Sequence, residues 1–381
     1  MADLPRRRLA GFYFFYFAYL GAFAPFFSIY LKAVGLSPVE IGTVMALPAV
    51  ARMTAPHLWG WLADAGGVMR IVRATTLAGV VCWLGMFAGT AFVWICAVAF
   101  ALSFFLSAAI PLVDSTTLLR LGERTGDYGR IRLWGSIGYM VAVVVVGYLL
   151  DLFHVSALLW IVLVLIAGTL ALGLSIPETD RPPYTEAGPI SHILKRPAVM
   201  ALIAGCALMV AAHGPYYSFY SIHLVSHGYS KGMTGWLWAL GVLCEIGIFF
   251  WLPRLYGAFT LRQILIASFA LAVVRFLVIG WGADSLALLL FAQTLHAATF
   301  GSFHAAAIGI VHRLFRGRHQ ARGQAIYGSL TYGVGGTVGS LASGYGWEQL
   351  GAGQTFSLAA GAAGLGMLIV LWKLKLDERD R

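Results

Sequence analysis

WLWALGVLCEIGIFFW, Trp236 to Trp251, holds one carboxylate, Glu245, about halfway along a stretch that is otherwise uncharged and almost wholly apolar. An ionised carboxylate in the middle of a bilayer is costly, so this one is expected to face a partner, a substrate path or water. Arg275, in the middle of the next apolar segment, is the expected partner, and a second arginine of this kind, Arg52, sits in the first half of the chain. Sliding the sequence by 193 residues places Arg52 on Glu245, Gly35 on Gly228 and Gly135-Ser136 on Gly328-Ser329. Nearby, P-F-F-S-I-Y (Pro25–Tyr30) echoes P-Y-Y-S-F-Y (Pro215–Tyr220) at an offset of 190. The chain reads as two related halves, each with one ionisable group at an equivalent depth, as expected of a transporter.

Composition permits little else. Hydrophobic residues make up 60% of the 381 and charged residues 11%, with a mean hydropathy of +0.81. A soluble domain needs far more charge to cover its surface. Twelve apolar runs lie near residues 9–31, 39–62, 71–89, 92–118, 131–150, 154–176, 198–224, 233–252, 262–281, 285–311, 323–346 and 352–372. Each is about 20 residues long, enough to cross a hydrocarbon core roughly 30 Å thick. The first follows Arg6-Arg7-Arg8 without a small-residue cleavage site, so a retained helix is expected and not a signal peptide.

The net charge of +10 invites a nucleic-acid reading, but its distribution argues against one. With the N-terminus inside, every Lys and Arg except Lys32, Lys231, Arg52 and Arg275 falls in the termini or the even-numbered connections. That bias predicts both termini in the cytoplasm, with the excess charge set against anionic headgroups. Four cysteines (Cys82, Cys96, Cys206, Cys244) lie inside apolar spans without metal-ligand spacing. They read as buried small hydrophobes, and no metal site is expected.

Along the first half, Tyr16, Tyr19, Phe23, Phe27 and Tyr30 recur at spacings of three and four and share a helix face. That face is either helix packing with an interfacial belt or a wall of the substrate cavity. Arg52 is flanked by Pro48 and Pro56, which are expected to kink its helix and free carbonyls for a cavity lining. The fourth run carries Ser103, Ser107, Pro111, Asp114 and Thr117 on one face, and Asp114 is either a proton site or a gate charge. In the loop D-Y-G-R-I-R-L-W-G-S (Asp127–Ser136), Arg130 and Arg132 are placed to contact Asp114 or lipid phosphate. Residues 177–196 form the one long polar linker, dividing an N-terminal bundle (1–176) from a C-terminal one (197–381).

The second half concentrates the chemistry. On the seventh run His213, Tyr216, Tyr220, His223 and His227 line one face, with Tyr217 beside it. Such a polar-aromatic stripe in a membrane points to a wet cavity, against the ordinary reading of structural histidines. Glu245, Arg275 and His296 are spaced to meet near mid-membrane, while Gln293, His296, Phe300 and His304 share a face of the tenth run. The competing reading is a satisfied polar knot that specifies packing.

The motifs carry a resemblance. G-W-L-A-D-A-G-G-V-M-R (Gly60–Arg70) resembles the loop between helices two and three of the major facilitator superfamily, whose Asp and basic residues latch the cytoplasmic side. Asp64 and Arg70 match in type. A-H-x-x-Y-Y at Ala212–Tyr217, L-W-x-L-G-V containing Trp238 with Glu245 following, V-V-R at Val273–Arg275 and Q-x-L-H-x-x-T-F at Gln293–Phe300 are similar to the 3-phenylpropionate permease branch of that superfamily. D-Y-G-R-I-R-L-W-G-S and the V-A-R around Arg52 extend the likeness over essentially the whole chain. The resemblance implies an all-α membrane protein of twelve transmembrane helices in two pseudo-symmetric six-helix bundles, with substrate bound at their interface. Related lactose-type symporters couple protons through a Glu, Arg and His on helices eight to ten, matched here by Glu245, Arg275 and His296. Their further Glu one turn after the His is absent, since Thr299 and Phe300 stand there, and their sugar-binding pattern on helices four and five is not evident.

The reading is thus a bacterial inner-membrane symporter for a small organic solute, an aromatic acid such as a phenylpropionate, driven by protons without a cofactor. Arg52 is expected to clamp a carboxylate. Tyr16, Tyr19, Phe23, His213, Tyr216, Tyr217, Tyr220, Trp238 and Gln293 are expected to contact the organic body. Glu245, Arg275, His296, His304 and Asp114 are the proton-coupling set, and Asp64, Arg70, Arg130 and Arg132 the cytoplasmic gate. Its partners are a small-molecule substrate, protons and the lipid bilayer around a monomer. The alternatives are a nucleoside or sugar symporter, or a proton-driven exporter of amphipathic compounds. An enzyme is not expected, since no metal motif, G-x-S-x-G elbow or phosphate loop occurs.

Overall fold

The computed structural model describes residues 5–122, 124, 126–178 and 190–375, so most of the expected 177–196 linker lies outside the described residues. Helices α1 (Arg6–Ala33) and α2 (Pro38–Gly66) are followed by α3 (Val68–Phe87), α4 (Phe92–Leu121), α5 (Asp127–Leu152) and α6 (Ala157–Ser175). The second half adds α7 (Pro197–Ser226), α8 (Lys231–Ala258), α9 (Leu261–Trp281) and α10 (Leu286–Leu314). Helix α11 runs from Gln320–Gly328 through a π-helical Ser329–Gly335 to Gly336–Leu350, and α12 is Ala352–Lys373.

Among the described residues, ten helices are long and apolar enough to cross a membrane, where the sequence predicts twelve. The remaining two expected crossings, α2 and α11, are helical over the expected stretches but fall outside the ten. Their composition explains the difference. Glu40, Arg52 and three prolines dilute α2, and glycines, serines and polar residues dilute α11. Both prolines flanking Arg52 lie inside one continuous 29-residue helix.

The chain forms two compact units, Met1–Thr185 with Tyr229–Trp236, and Glu186–Gly228 with Leu237–Arg381. In unit 1, α1 leaves its last turn through Gly35, whose φ of 93° is a left-handed conformation that suits glycine. Ser37 then starts α2 with a reciprocal capping box to Glu40. Gly228, with a φ of 84°, and Ser230, which accepts from the Met233 N–H at 3.0 Å, repeat both devices before α8. Met233 replaces the Glu40 of the first copy, and Asp151 at the end of α5 takes over, accepting from the N–H groups of Lys231 (2.9 Å) and Gly232 (2.8 Å). That contact, with the Trp236 indole N–H donating to the Tyr148 hydroxyl at 3.1 Å, is why the start of α8 groups with unit 1.

The opposite ends are held by arginines. Arg8 and Arg120 donate to the carbonyls of Ser175 and Pro177, and Arg73 to that of Gly173, where α6 leaves acceptors without helical partners. Glu178 folds back to accept the Met69 and Arg70 N–H groups at 2.8 and 3.0 Å, capping α3. Arg262 repeats the role in unit 2, donating to the Leu371 carbonyl near the end of α12 at 2.6 Å.

Without a hydrophobic drive between helices in lipid, close backbone approach supplies much of the packing. A Cβ at Gly138 on α5 would overlap the Phe14 carbonyl of α1, and one at Gly339 on α11 would overlap the Ala211 carbonyl of α7. Gly138→Leu is therefore expected to destabilise the detergent-solubilised protein by about 1–3 kcal/mol. Gly361→Leu, where nothing lies within 4 Å of the new Cβ, is expected to leave the thermal midpoint unchanged. Equal midpoints for the two variants would remove the helix-contact argument.

Candidate functional site

In unit 2 the polar groups converge on Arg275, which is completely buried. Helix α7 is interrupted between Ala212 and Gly214, with His213 at the break. The His213 Nδ1 lies 2.8 Å from the Met209 carbonyl, a contact that requires Nδ1–H and turns the Nε2 lone pair outward. That Nε2 is 3.5 Å from Arg275 Nη1. The guanidinium also donates to the Ala292 carbonyl (3.1 Å), Thr299 Oγ1 (3.2 Å) and Gln293 Oε1 (3.5 Å). Its carbon lies 4.2 Å from the centre of the Tyr216 ring, and the Tyr216 hydroxyl donates to Gln293 at 3.2 Å.

The expected Glu245–Arg275 pair is not formed as an ion pair within 4.0 Å. The carboxylate of Glu245 lies 3.8 Å from His296 Nε2 instead, while the hydrogen-bond partners of Arg275 are all neutral. The reason is local. Gly241 leaves room beside Gln293 and His296, and Gly301 leaves room beside the Glu245 Cγ. The carboxylate is therefore seated against α10, not α9. Immediately after His296, α10 passes through a π-helical turn, Ala297–Ser302. Such turns recur at functional sites because the extra residue re-aims the side chains around it.

Aromatic rings surround this group. Trp238 packs 4.5 Å from Tyr216 and 6.0 Å from Tyr217 between ring centres, and its indole N–H donates to Ser221 at 3.0 Å. Tyr220 is 4.9 Å from Tyr216. The rings of His296, Phe300 and His304 form a parallel stack at 5.4 and 6.5 Å. At its far end His304 Nδ1 meets the Tyr332 hydroxyl at 2.8 Å, joining the helical turn just after the π turn of α10 to the π turn of α11. The stripe on α7 divides. His213 and Tyr216 join Arg275, whereas His223 packs against Trp347 and Phe356 with Nε2 on the Ile279 carbonyl. His227 approaches Asp284 at 3.8 Å.

Unit 1 holds a second group. The Tyr13 hydroxyl donates to Asp114 at 2.6 Å and lies 3.2 Å from Thr117. Arg132 lies over the Phe17 ring at 3.9 Å, in space kept open by Gly135, where a Cβ would press on both. Arg52 is exposed on α2, within electrostatic range of the Tyr16 and Tyr19 hydroxyls. Tyr16, Tyr19 and Phe23 are buried along α1, and Phe23 packs edge-on against Trp83 at 6.0 Å. Asp64, Arg70 and Arg130 are exposed at the helix ends, and Arg6 pairs with Asp127 at 2.6 Å.

Several of these partners escape a reading of the sequence. Thr299 looks like an ordinary helix residue and Glu178 like a linker charge. Tyr13 sits one turn before the aromatic face of α1. Tyr332 had a signal, since it falls on Tyr139 at the 193-residue offset that aligns the two halves.

Comparison with known proteins follows the same lines. The model of the "MFS_1 like family" matches residues 6–358. The "Probable 3-phenylpropionic acid transporter" of Escherichia coli (strain K12) is 30% identical over 365 residues, covering 93% of this chain and 94% of the relative. The "Maltose permease" of Geobacillus stearothermophilus is 29% identical, with 97% and 94% covered. Among solved structures, a mutant form of the nucleoside transporter NupG superposes with a TM-score of 0.88 at 17% identity, covering 98% of this chain and 100% of that one.

Proposed function

We propose that this chain, which belongs to the MFS_1 like family of the major facilitator superfamily, is a proton-coupled symporter of an aromatic carboxylic acid. Its relatives and its fold are those of transporters, not enzymes, and it is a multi-span membrane protein related to bacterial inner-membrane transporters. The observation that carries the coupling is Glu245 against His296 at 3.8 Å, with a buried guanidinium held by neutral groups on the neighbouring helix. A coupling site must exist both with and without its proton, and a carboxylate facing an imidazole can pass one between them. The proton gradient is the sole energy source, and the transporter works as a monomer with both termini in the cytoplasm.

The substrate class rests on two supports. One is the relative named for 3-phenylpropionic acid. The other is chemical: Tyr217, half-buried beside the buried rings of Tyr216 and Trp238, offers a ring face for an aromatic body, and Arg52 is an exposed guanidinium inside an apolar helix, suited to a carboxylate. Counterflow in proteoliposomes, with 3-phenylpropionate, its neutral amide, a nucleoside and maltose, tests both. We expect exchange of the acid alone. Losing a charge-assisted contact costs about 1.5–3 kcal/mol, so Arg52→Gln should weaken acid binding roughly 10- to 100-fold. Arg52→Lys should also impair it, because an ammonium lacks the bidentate fork. Exchange of the amide equal to that of the acid, or normal transport by Arg52→Gln, would refute the anionic substrate.

A further inference from the structure

Unit 2 carries a basic cavity that the transport reading does not use. It lies where α8 turns into α9, beside the end of α10 and the residues after α12, and has a volume of about 1050 Å³. Arg262, His312, Arg313 and Lys375 line it, and no Asp or Glu does so among the described residues. Arg262 spends one Nη on the Leu371 carbonyl, leaving its Nε buried without a partner. A buried donor left unmade is costly, so an acceptor supplied from outside would relieve it.

A second, smaller cavity of about 230 Å³ adjoins the first, and Phe259 and Gln263 belong to both walls. Its lining is apolar, with Ile248, Leu255, Ile264, Ala267, Leu271 and Ala298 among its residues. Its two serines, Ser268 and Ser302, turn their hydroxyls onto carbonyls of their own helices. Basic surface at a helix end ordinarily reflects topology and nothing more. A solvated surface, however, needs neither a recess of this volume nor an apolar groove adjoining it. A small free anion would use the basin and ignore the groove.

We propose that this pair of cavities is a binding site for an anionic phospholipid, with the phosphate in the basic basin and an acyl chain along the apolar groove. Basic pockets between membrane helices take anionic headgroups in this way, and each buried methylene adds hydrophobic gain.

The test is lipid titration of the full detergent-purified chain by native mass spectrometry, with thermal midpoints measured alongside. Phosphatidylglycerol should bind and raise the midpoint, whereas phosphatidylcholine and inorganic phosphate at equal concentration should not. Arg313→Gln with Lys375→Gln removes two cations and should weaken phosphatidylglycerol roughly 30-fold, about five-fold per charge. Arg7→Gln with Arg124→Gln, an equal loss of charge in unit 1, should change it less than about two-fold. Ala267→Trp, which fills the groove, should weaken the lipid while sparing the basin, and it decides the matter if the double variant does not fold. Equal binding of phosphatidylcholine, or an unchanged affinity in both cavity variants, overturns the proposal. Protection by inorganic phosphate that Ala267→Trp leaves untouched also overturns it, in favour of a free-anion site.

Discussion

Glu245→Gln should bind substrate and exchange it across the membrane, yet fail to accumulate it above equilibrium under a pH gradient. The expectation follows from what the substitution preserves. Gln keeps the shape of the protonated acid, so the packing around Gly301 and the approach to His296 survive. What it loses is the second protonation state. Glu245 sits in a largely apolar helix, where a bare anion is expensive and a neutral or paired group is not. Substrate movement that needs the neutral form is therefore open to the variant at all times, and the step requiring proton release is closed. Counterflow should run at near-normal rates while pH-driven uptake stops at equilibration, both measured on one preparation. Undiminished accumulation would eliminate Glu245 as the coupling group and transfer the role to Asp114, held by Tyr13, or to His304, held by Tyr332.

The elements that were legible in the sequence are those fixed by local rules. Apolar length sets the helices, and the 193-residue offset pairs glycines that share a left-handed φ and serines that share a capping role. The offset also places Arg52 and Glu245 in register, and helix faces put His213 with Tyr216 and Gln293 with His296. The partner chosen by each polar group was not legible. Helical periodicity gives the direction of a side chain but not its depth against a neighbour. Whether Glu245 reaches α9 or α10 is decided by Gly241 and Gly301, whose missing side chains make the room. The π turns in α10 and α11 are equally invisible, because their sequences contain nothing that forbids an α-helix. His223 belongs to the stripe on α7 by spacing but packs on α11 and α12, whose distance in sequence hides the contact.

Arg275→Met should abolish transport while leaving thermal stability at or above that of the wild-type protein. Stripping a guanidinium of water and burying it costs several kcal/mol unless its partners repay it fully. Here the partners are neutral groups, and two of the contacts are stretched to 3.5 Å. Their removal strands little. Gln293 Oε1 keeps the Tyr216 hydroxyl, and Thr299 keeps the His296 carbonyl at 3.5 Å. The Ala292 carbonyl and His213 Nε2 are left open, at a cost of about 1–3 kcal/mol each at most, and Met fills much of the volume with an adaptable apolar chain. The sum gives no reason for the protein to keep a buried cation for stability. A charge retained against its own desolvation cost is one kept for function, here to bias the Glu245–His296 pair one helix away. Uptake and counterflow should both fall at least about 100-fold, equivalent to the loss of one strong charged contact. Arg275→Lys should not rescue them, since one ammonium cannot span Ala292, Thr299 and Gln293 together. The opposite pattern, a lowered thermal midpoint with transport intact in the folded fraction, would show that Arg275 is a packing cation and that the coupling group ends at Glu245 and His296.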